Sequence, residues 1–336
     1  MNTIFAILAS CCFALSVSAQ HMTQLTTRNG ISFRGIETYG DGCIWVSGSK
    51  GTVGKSLDAG QTWAWASPKG YEELDFRDIE IFSTKEAVIM SAGAPAVVLR
   101  TTDGGKSWRE VYRDERPAIF LDGMDFKGKE GFIVGDPIDG VFQLLQSKDK
   151  GKTWQDVSNF MFLFADSAEA AFAASGTSIQ YLNDNVWIGT GGLTANVFKR
   201  NEKALEMAKY PCPILQGTSS TGIFAIDFWN DEIGIAVGGD YQNDSNTENT
   251  VMLTHDGGRN WIASDDHAVG YKSAVKYINK SLVVSTGTSG TAISADGGLH
   301  WDTVSTDSFN SLALSSDRKT VYLTGSNGNI VRLIVE

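Results

Sequence analysis

Proline is scarce in this chain, 6 residues in 336 against 36 glycines, a balance that suits a turn-rich β protein. Cysteine is scarcer still. Cys11 and Cys12 fall in the apolar N-terminal stretch, leaving Cys43 and Cys212, too few for a disulfide framework and expected as two buried thiols. With four histidines in all, no C-x-x-C and no H-E-x-x-H, a zinc or haem centre has no ligands to draw on. No G-x-G-x-x-G opens a helix after a strand, so a dinucleotide has no cradle and no cofactor is expected. Basic residues are outnumbered, 28 Lys and Arg against 39 Asp and Glu, for a net charge of −11. That balance argues against nucleic acid and anionic membranes as partners, since both attract a basic excess. Beyond residue 20 no apolar run approaches the ~18 residues of a membrane-spanning helix.

What the chain does have is glycine, 36 residues, and one octapeptide that returns. SLDAGQTW (56–63), TTDGGKSW (101–108), SKDKGKTW (147–154), THDGGRNW (254–261) and SADGGLHW (294–301) all fit [ST]-x-D-x-G-x-x-W. Their tryptophans are 45, 46, 107 and 40 residues apart, and the gap of 107 holds two units, one of which has lost the motif. A period of 40–50 residues in a turn-rich chain is the signature of a radial array of small sheets. The octapeptide reads as a hairpin. Asp58, Asp103, Asp149, Asp256 and Asp296 can each accept backbone N–H groups of the following turn. The glycine two residues on can take positive φ, and Trp63, Trp108, Trp154, Trp261 and Trp301 offer a large face to the next sheet. A catalytic aspartate would not be repeated five times around a ring, so these positions are read as structural.

Taken in order, residues 1–19 are uncharged in their side chains and apolar, and Ser16-Val17-Ser18-Ala19 offers small residues for cleavage after Ala19. The chain is therefore expected to be secreted or periplasmic, with lipidation at Cys11 in Leu8-Ala9-Ser10-Cys11 as the alternative. Residues 20–336 are expected to form one domain, an all-β, seven-bladed β-propeller, read as a monomer. The last unit has only three strands before the chain ends, and Met22 to Thr27 are the natural donor of a fourth that closes the ring. The octapeptide hairpins then gather on one face, and the irregular connections, the polar run Gly238 to Thr250 among them, on the other.

The site is sought on that second face. Arg34 and Arg77 occupy the same register, after Phe33 and Phe76, at the mouth of the central channel. Two adjacent guanidiniums call for an anionic partner, either a ligand carboxylate or acids nearby. Candidates on the same face are Asp136, Glu169, Asp240 and Asp122, with Tyr241 beside Asp240. The equivalent first-strand positions later in the chain read as Leu121, Ala173, Ala225, Ser273 and Asn310, none of them a third arginine. The acidic run 240–249 lacks the spacing of a calcium loop, and no metal is expected.

The octapeptides resemble the Asp-box (BNR) repeats of sialidases and related propellers. Phe33-Arg34-Gly35-Ile36 resembles the opening of the sialidases, but the third channel arginine of that family is missing. Together with Phe76-Arg77-Asp78-Ile79, Ser91-Ala92-Gly93 and Gly135-Asp136-Pro137, the pattern over 30–336 is more similar to secreted bacterial propellers related to the photosystem II stability/assembly factors. That resemblance implies a non-catalytic scaffold that binds a partner, protein or glycan, on an arginine-bearing face. The alternative is a glycan-cleaving hydrolase drawing on Glu169, Asp136, Asp240 and Tyr241.

Overall fold

The computed structural model describes residues 22–201, 206–265 and 269–335. The leader, the cleavage point after Ala19 and Cys11 lie outside the described residues. Among the described residues the chain forms seven antiparallel blades around a central channel. The innermost strands are Phe33–Tyr39, Phe76–Ile81, Leu121–Lys127, Ile179–Leu182, Thr221–Phe228, Ala274–Tyr277 and Ser311–Leu314. Each packs beside the next around the ring. Second and third strands such as Ala87–Ser91 and Ala96–Thr101 are buried along their whole length. Their continuous apolar runs are sandwiched between neighbouring blades, as strands covered on both faces must be. Outer strands such as Ala64–Ala66 and Arg109–Asp114 alternate with solvent.

The ring closes as the sequence predicts. Met22–Thr26 pairs antiparallel with Ile330–Ile334, placing Met22 opposite Leu333 and Gln24 opposite Val331. The seventh blade thus takes its outermost strand from the start of the chain and its inner three from the end. Cys43 and Cys212 are free and buried.

All five octapeptides fold alike. In the first, Ser56 Oγ donates to Asp58 Oδ1 at 2.8 Å and accepts the Gly60 N–H at 2.8 Å. The same carboxylate takes the Thr62 N–H at 2.8 Å and the Thr62 hydroxyl at 2.6 Å. Gly60 sits at φ 87°, which a side chain would resist. These bonds to the ionised form hold the Asp58 and Asp103 carboxyls down to about 2, with Thr62 and Ser107 as the leading donors. A folded-state pKa below the unfolded one stabilises at pH above about 4, and that contribution is lost as pH falls toward 2.

The hairpins also stitch blades together. The turn glycine of one packs on the second strand of the preceding blade: Gly105 on Trp45, Gly151 on Val88, Gly258 on Trp187. The preceding residue of each hairpin donates its N–H to the first turn of its own blade, Ala59 to Gly42 and Gly257 to Glu232. Both turns therefore lie on one face, here the bottom, and the long connections lie on top.

Candidate functional site

Four innermost strands open with a β-bulge, at Arg34, Arg77, Asp122 and Phe224. A bulged residue leaves the ladder and re-aims its side chain. All four line one cavity of about 460 Å³ at the top of the channel, together with Ser273 and Asn310 at the mouths of the sixth and seventh blades. The register drawn from sequence is corrected here. Asp122 and Phe224, not Leu121 and Ala225, are equivalent to the two arginines, because they are the bulged residues of their strands. Ala173 belongs to no innermost strand at all.

Ala173 lies instead in the connection between the third and fourth blades, which crosses the channel. Glu169–Ala170 pairs with Gly191–Gly192 of the fourth blade, and Gly191 pairs with Gly222 of the fifth. The chain then touches the other blades in turn. The Ala171 N–H donates to Asp136 Oδ1 at 3.0 Å. Arg77 donates to the Ala173 carbonyl at 3.4 Å, and Arg34 to that of Ala174 at 3.0 Å. Ser175 Oγ donates to the Ser273 carbonyl at 2.6 Å, while Ser311 Oγ donates to the Ser175 carbonyl at 3.3 Å. Gly176, at φ 79°, lies where a Cβ would strike the Asp78 carboxylate. This crossing segment floors the top cavity and separates it from a second one of about 500 Å³ at the bottom of the channel.

The top cavity has a charged side and an aromatic side. Arg34 is pushed below the usual arginine range, first by burial and then by the neighbouring Arg77 guanidinium, the repulsion expected of the pair. Arg77 is held by Asp75 at 2.9 Å and lies over the Phe120 ring at 5.5 Å. Among the described residues Arg34 makes no ion pair; its recorded bond is to the neutral Ala174 carbonyl. Burial pushes the Asp136 carboxyl up to about 6 and Asp122 well above the usual carboxylate range. Asp122 is 0% exposed, and neither of its oxygens has a partner in good hydrogen-bond geometry, although the amides of Asp136 and Ala173 lie close enough to temper the burial. Across from these groups Phe172 stacks on Phe224 with centroids 3.9 Å apart, and Tyr271 and Tyr241 meet Phe224 edge-on.

Of the residues singled out from sequence, Arg34, Arg77, Asp122, Asp136 and Tyr241 meet in this cavity. Glu169 does not face it. Its carboxylate is buried, accepting Lys209 Nζ at 2.9 Å, Asn196 Nδ2 at 2.9 Å and the Asp166 N–H at 2.7 Å, with the Thr190 hydroxyl beside it. Asp240 caps its own loop by accepting the Gln242 N–H at 2.9 Å.

The lower cavity holds Glu37, Asp78, Glu80, Asp125, Asp227 and Lys276. Three of these acids join blades by accepting a backbone N–H of the next innermost strand: Asp78 from Met124, Asp125 from Tyr181, Asp227 from Tyr277. Lys276 pairs with Asp227 at 3.0 Å. No group of three His, Cys, Asp or Glu side chains among the described residues is placed to hold a metal ion. No helix among them is long and apolar enough to cross a membrane.

Fold and site together define a seven-bladed Asp-box propeller with a floored channel and an arginine pair under its top mouth. Residues 75–163 match the model of a family described as photosynthesis system II assembly factor YCF48. Two solved structures of that name share the fold. YCF48 bound to D1 peptide is 17% identical, with 96% of this chain and 97% of that chain covered at a TM-score of 0.68. YCF48 from Cyanidioschyzon merolae is 16% identical, with 93% and 98% covered, also at 0.68. The WD40 repeats of RRP9 align at a TM-score of 0.65 and 12% identity, covering 96% of this chain and all of that one. Comparison with curated proteins gives no match. Over residues 75–163 the chain is similar to the photosystem II assembly factor family, and at these identities its likeness to the solved structures is one of fold.

Proposed function

We propose that this protein is a non-catalytic binding propeller whose top face receives a carboxylate-bearing segment of a partner protein, in the exported setting implied by its N-terminal apolar stretch. The observation that carries the reading is the state of the two arginines. Arg34 and Arg77 share one cavity, repel each other, and donate to neutral carbonyls of the crossing segment. A carboxylate is a stronger acceptor than a peptide carbonyl and relieves the repulsion as well, so an acidic side chain or chain end entering from above gains on both counts. The peptide-bound neighbour of the same fold supports a protein partner, and the exposed Tyr241 ring at the cavity edge supplies apolar contact beside the charge.

The glycan-cleaving alternative needs two carboxyls flanking open space. Of the acids named for it, Glu169 is committed to Lys209 and Asn196, and Asp240 to its own loop. The binding reading is tested by selecting a phage-displayed random peptide library on the wild type and on an Arg34→Gln/Arg77→Gln variant. Sequences rich in Asp, Glu or a free C-terminus should be enriched on the wild type and lost on the variant. Equal enrichment on both proteins would remove the arginines from the site.

A further inference from the structure

Beside Arg34 and Arg77 the top cavity presents two carboxyls, Asp122 and Asp136, which a ligand bearing only negative charge would leave without a donor. A purely cationic ligand would meet the two guanidiniums. A ligand with a negative and a positive group on neighbouring atoms answers both. Asp122 is the sharper clue: it is a fully buried carboxyl in the cavity wall whose nearest donors, the Asp136 and Ala173 amides, are not in good hydrogen-bond geometry, and such a group is costly to keep. Asp136 spends one oxygen on the Ala171 N–H, and the structure gives the other no partner among the described residues. Opposite them, Phe172, Phe224, Tyr241 and Tyr271 form a mutually packed aromatic wall suited to an apolar side chain. The floor made by residues 171–176 limits the space to about 460 Å³, in the range of small-molecule sites.

From the poorly satisfied Asp122, the free oxygen of Asp136, the arginine pair and the aromatic wall, we infer that the cavity takes a free α-amino acid with an aromatic or large aliphatic side chain. Its carboxylate goes to Arg34 and Arg77, its ammonium to Asp122 and Asp136, and its side chain against Phe172 and Phe224. The inference rests on the reading of the top face as the binding face but not on a protein partner, and such a ligand would compete with any partner segment seeking the same arginines.

Isothermal titration calorimetry with L-phenylalanine as the probe tests it, against three analogues. 3-Phenylpropionate lacks the ammonium, L-phenylalanine amide lacks the carboxylate, and N-acetyl-L-phenylalanine stands for the last residue of a peptide. L-Phenylalanine should bind, and each analogue should bind about tenfold or more weakly, the loss of one charge-assisted contact. Asp122→Asn, close in shape and able to fold, should abolish the preference for L-phenylalanine over 3-phenylpropionate. Equal binding of 3-phenylpropionate or N-acetyl-L-phenylalanine by the wild type overturns the inference, the latter assigning the cavity to chain ends. Absence of binding by both L-phenylalanine and L-leucine also overturns it. In that event arginine-dependent peptide enrichment would still stand, whereas amino-acid binding without peptide enrichment would leave this inference and remove the protein partner.

Discussion

A chain lacking Met22–Thr26 is expected to melt about 10 °C or more below the intact protein and to self-associate at concentrations where the intact protein does not. The strand supplies the outer partner of Ile330–Ile334. Its removal gives up several backbone hydrogen bonds at about 1 kcal/mol each. It also strips away Leu25, which covers Gly60 of the first octapeptide, and Met22, which packs on the core between the sixth and seventh blades. Each of these half-buried side chains is worth about 1 kcal/mol. The total is on the order of 5 kcal/mol, and in a domain of this size each kcal/mol moves the melting temperature by about 2–4 °C. The bared edge, Ile330–Ile334, is apolar but for Arg332 and open to pairing with another chain. Differential scanning calorimetry with light scattering reads both effects, and unchanged melting would mean that the ring does not depend on this strand.

Trp187→Ala is expected to cost about 3–5 kcal/mol in chemical denaturation, the range for emptying a large aromatic site. The fourth blade, like the seventh, has no octapeptide, and Trp187 makes its tie to the fifth. The ring is fully buried, stacks on Phe228 at 4.0 Å, and donates its Nε1–H to the Gly257 carbonyl at 3.0 Å. That carbonyl lies in the octapeptide hairpin of the fifth blade, so the substitution leaves a cavity and an unpartnered acceptor together. Trp187→Phe keeps a stacking ring while losing the hydrogen bond and part of the ring volume, and should cost about 1–2 kcal/mol. Near-equal costs for the two variants would show that packing contributes little at this junction.

The octapeptides made the blade count legible because each position answers a local need: a hydroxyl, a carboxylate, a positive φ, a large ring. The closing strand was legible from a last unit one strand short. The floor of the channel was not. Residues 171–176, AFAASG, carry no period and no charge, and their roles are set by backbone carbonyls meeting Arg34 and Arg77 from blades far away in sequence. One signal was present: the connection from Asp156 to Ile179 is the longest between blades. The bulges hid Asp122 and Phe224 in a similar way. Counting back two residues from the inner-strand residues Ile36, Ile79, Met124 and Ile226 recovers Arg34, Arg77, Asp122 and Phe224, whereas counting one residue on from the strand start misses Phe224. Glu169 looked available because Lys209, its partner, stands forty residues away.

The division of labour between the two faces is the heart of the account, and one crossed comparison tests it: melting temperature and peptide-library enrichment, measured side by side on Asp58→Asn/Asp103→Asn and on Arg34→Gln/Arg77→Gln. The account predicts that the first variant melts several degrees lower and keeps the wild-type enrichment, while the second melts within about 3 °C of wild type and loses it. The reverse pattern, enrichment lost with the bottom-face aspartates and kept without the arginines, would contradict it.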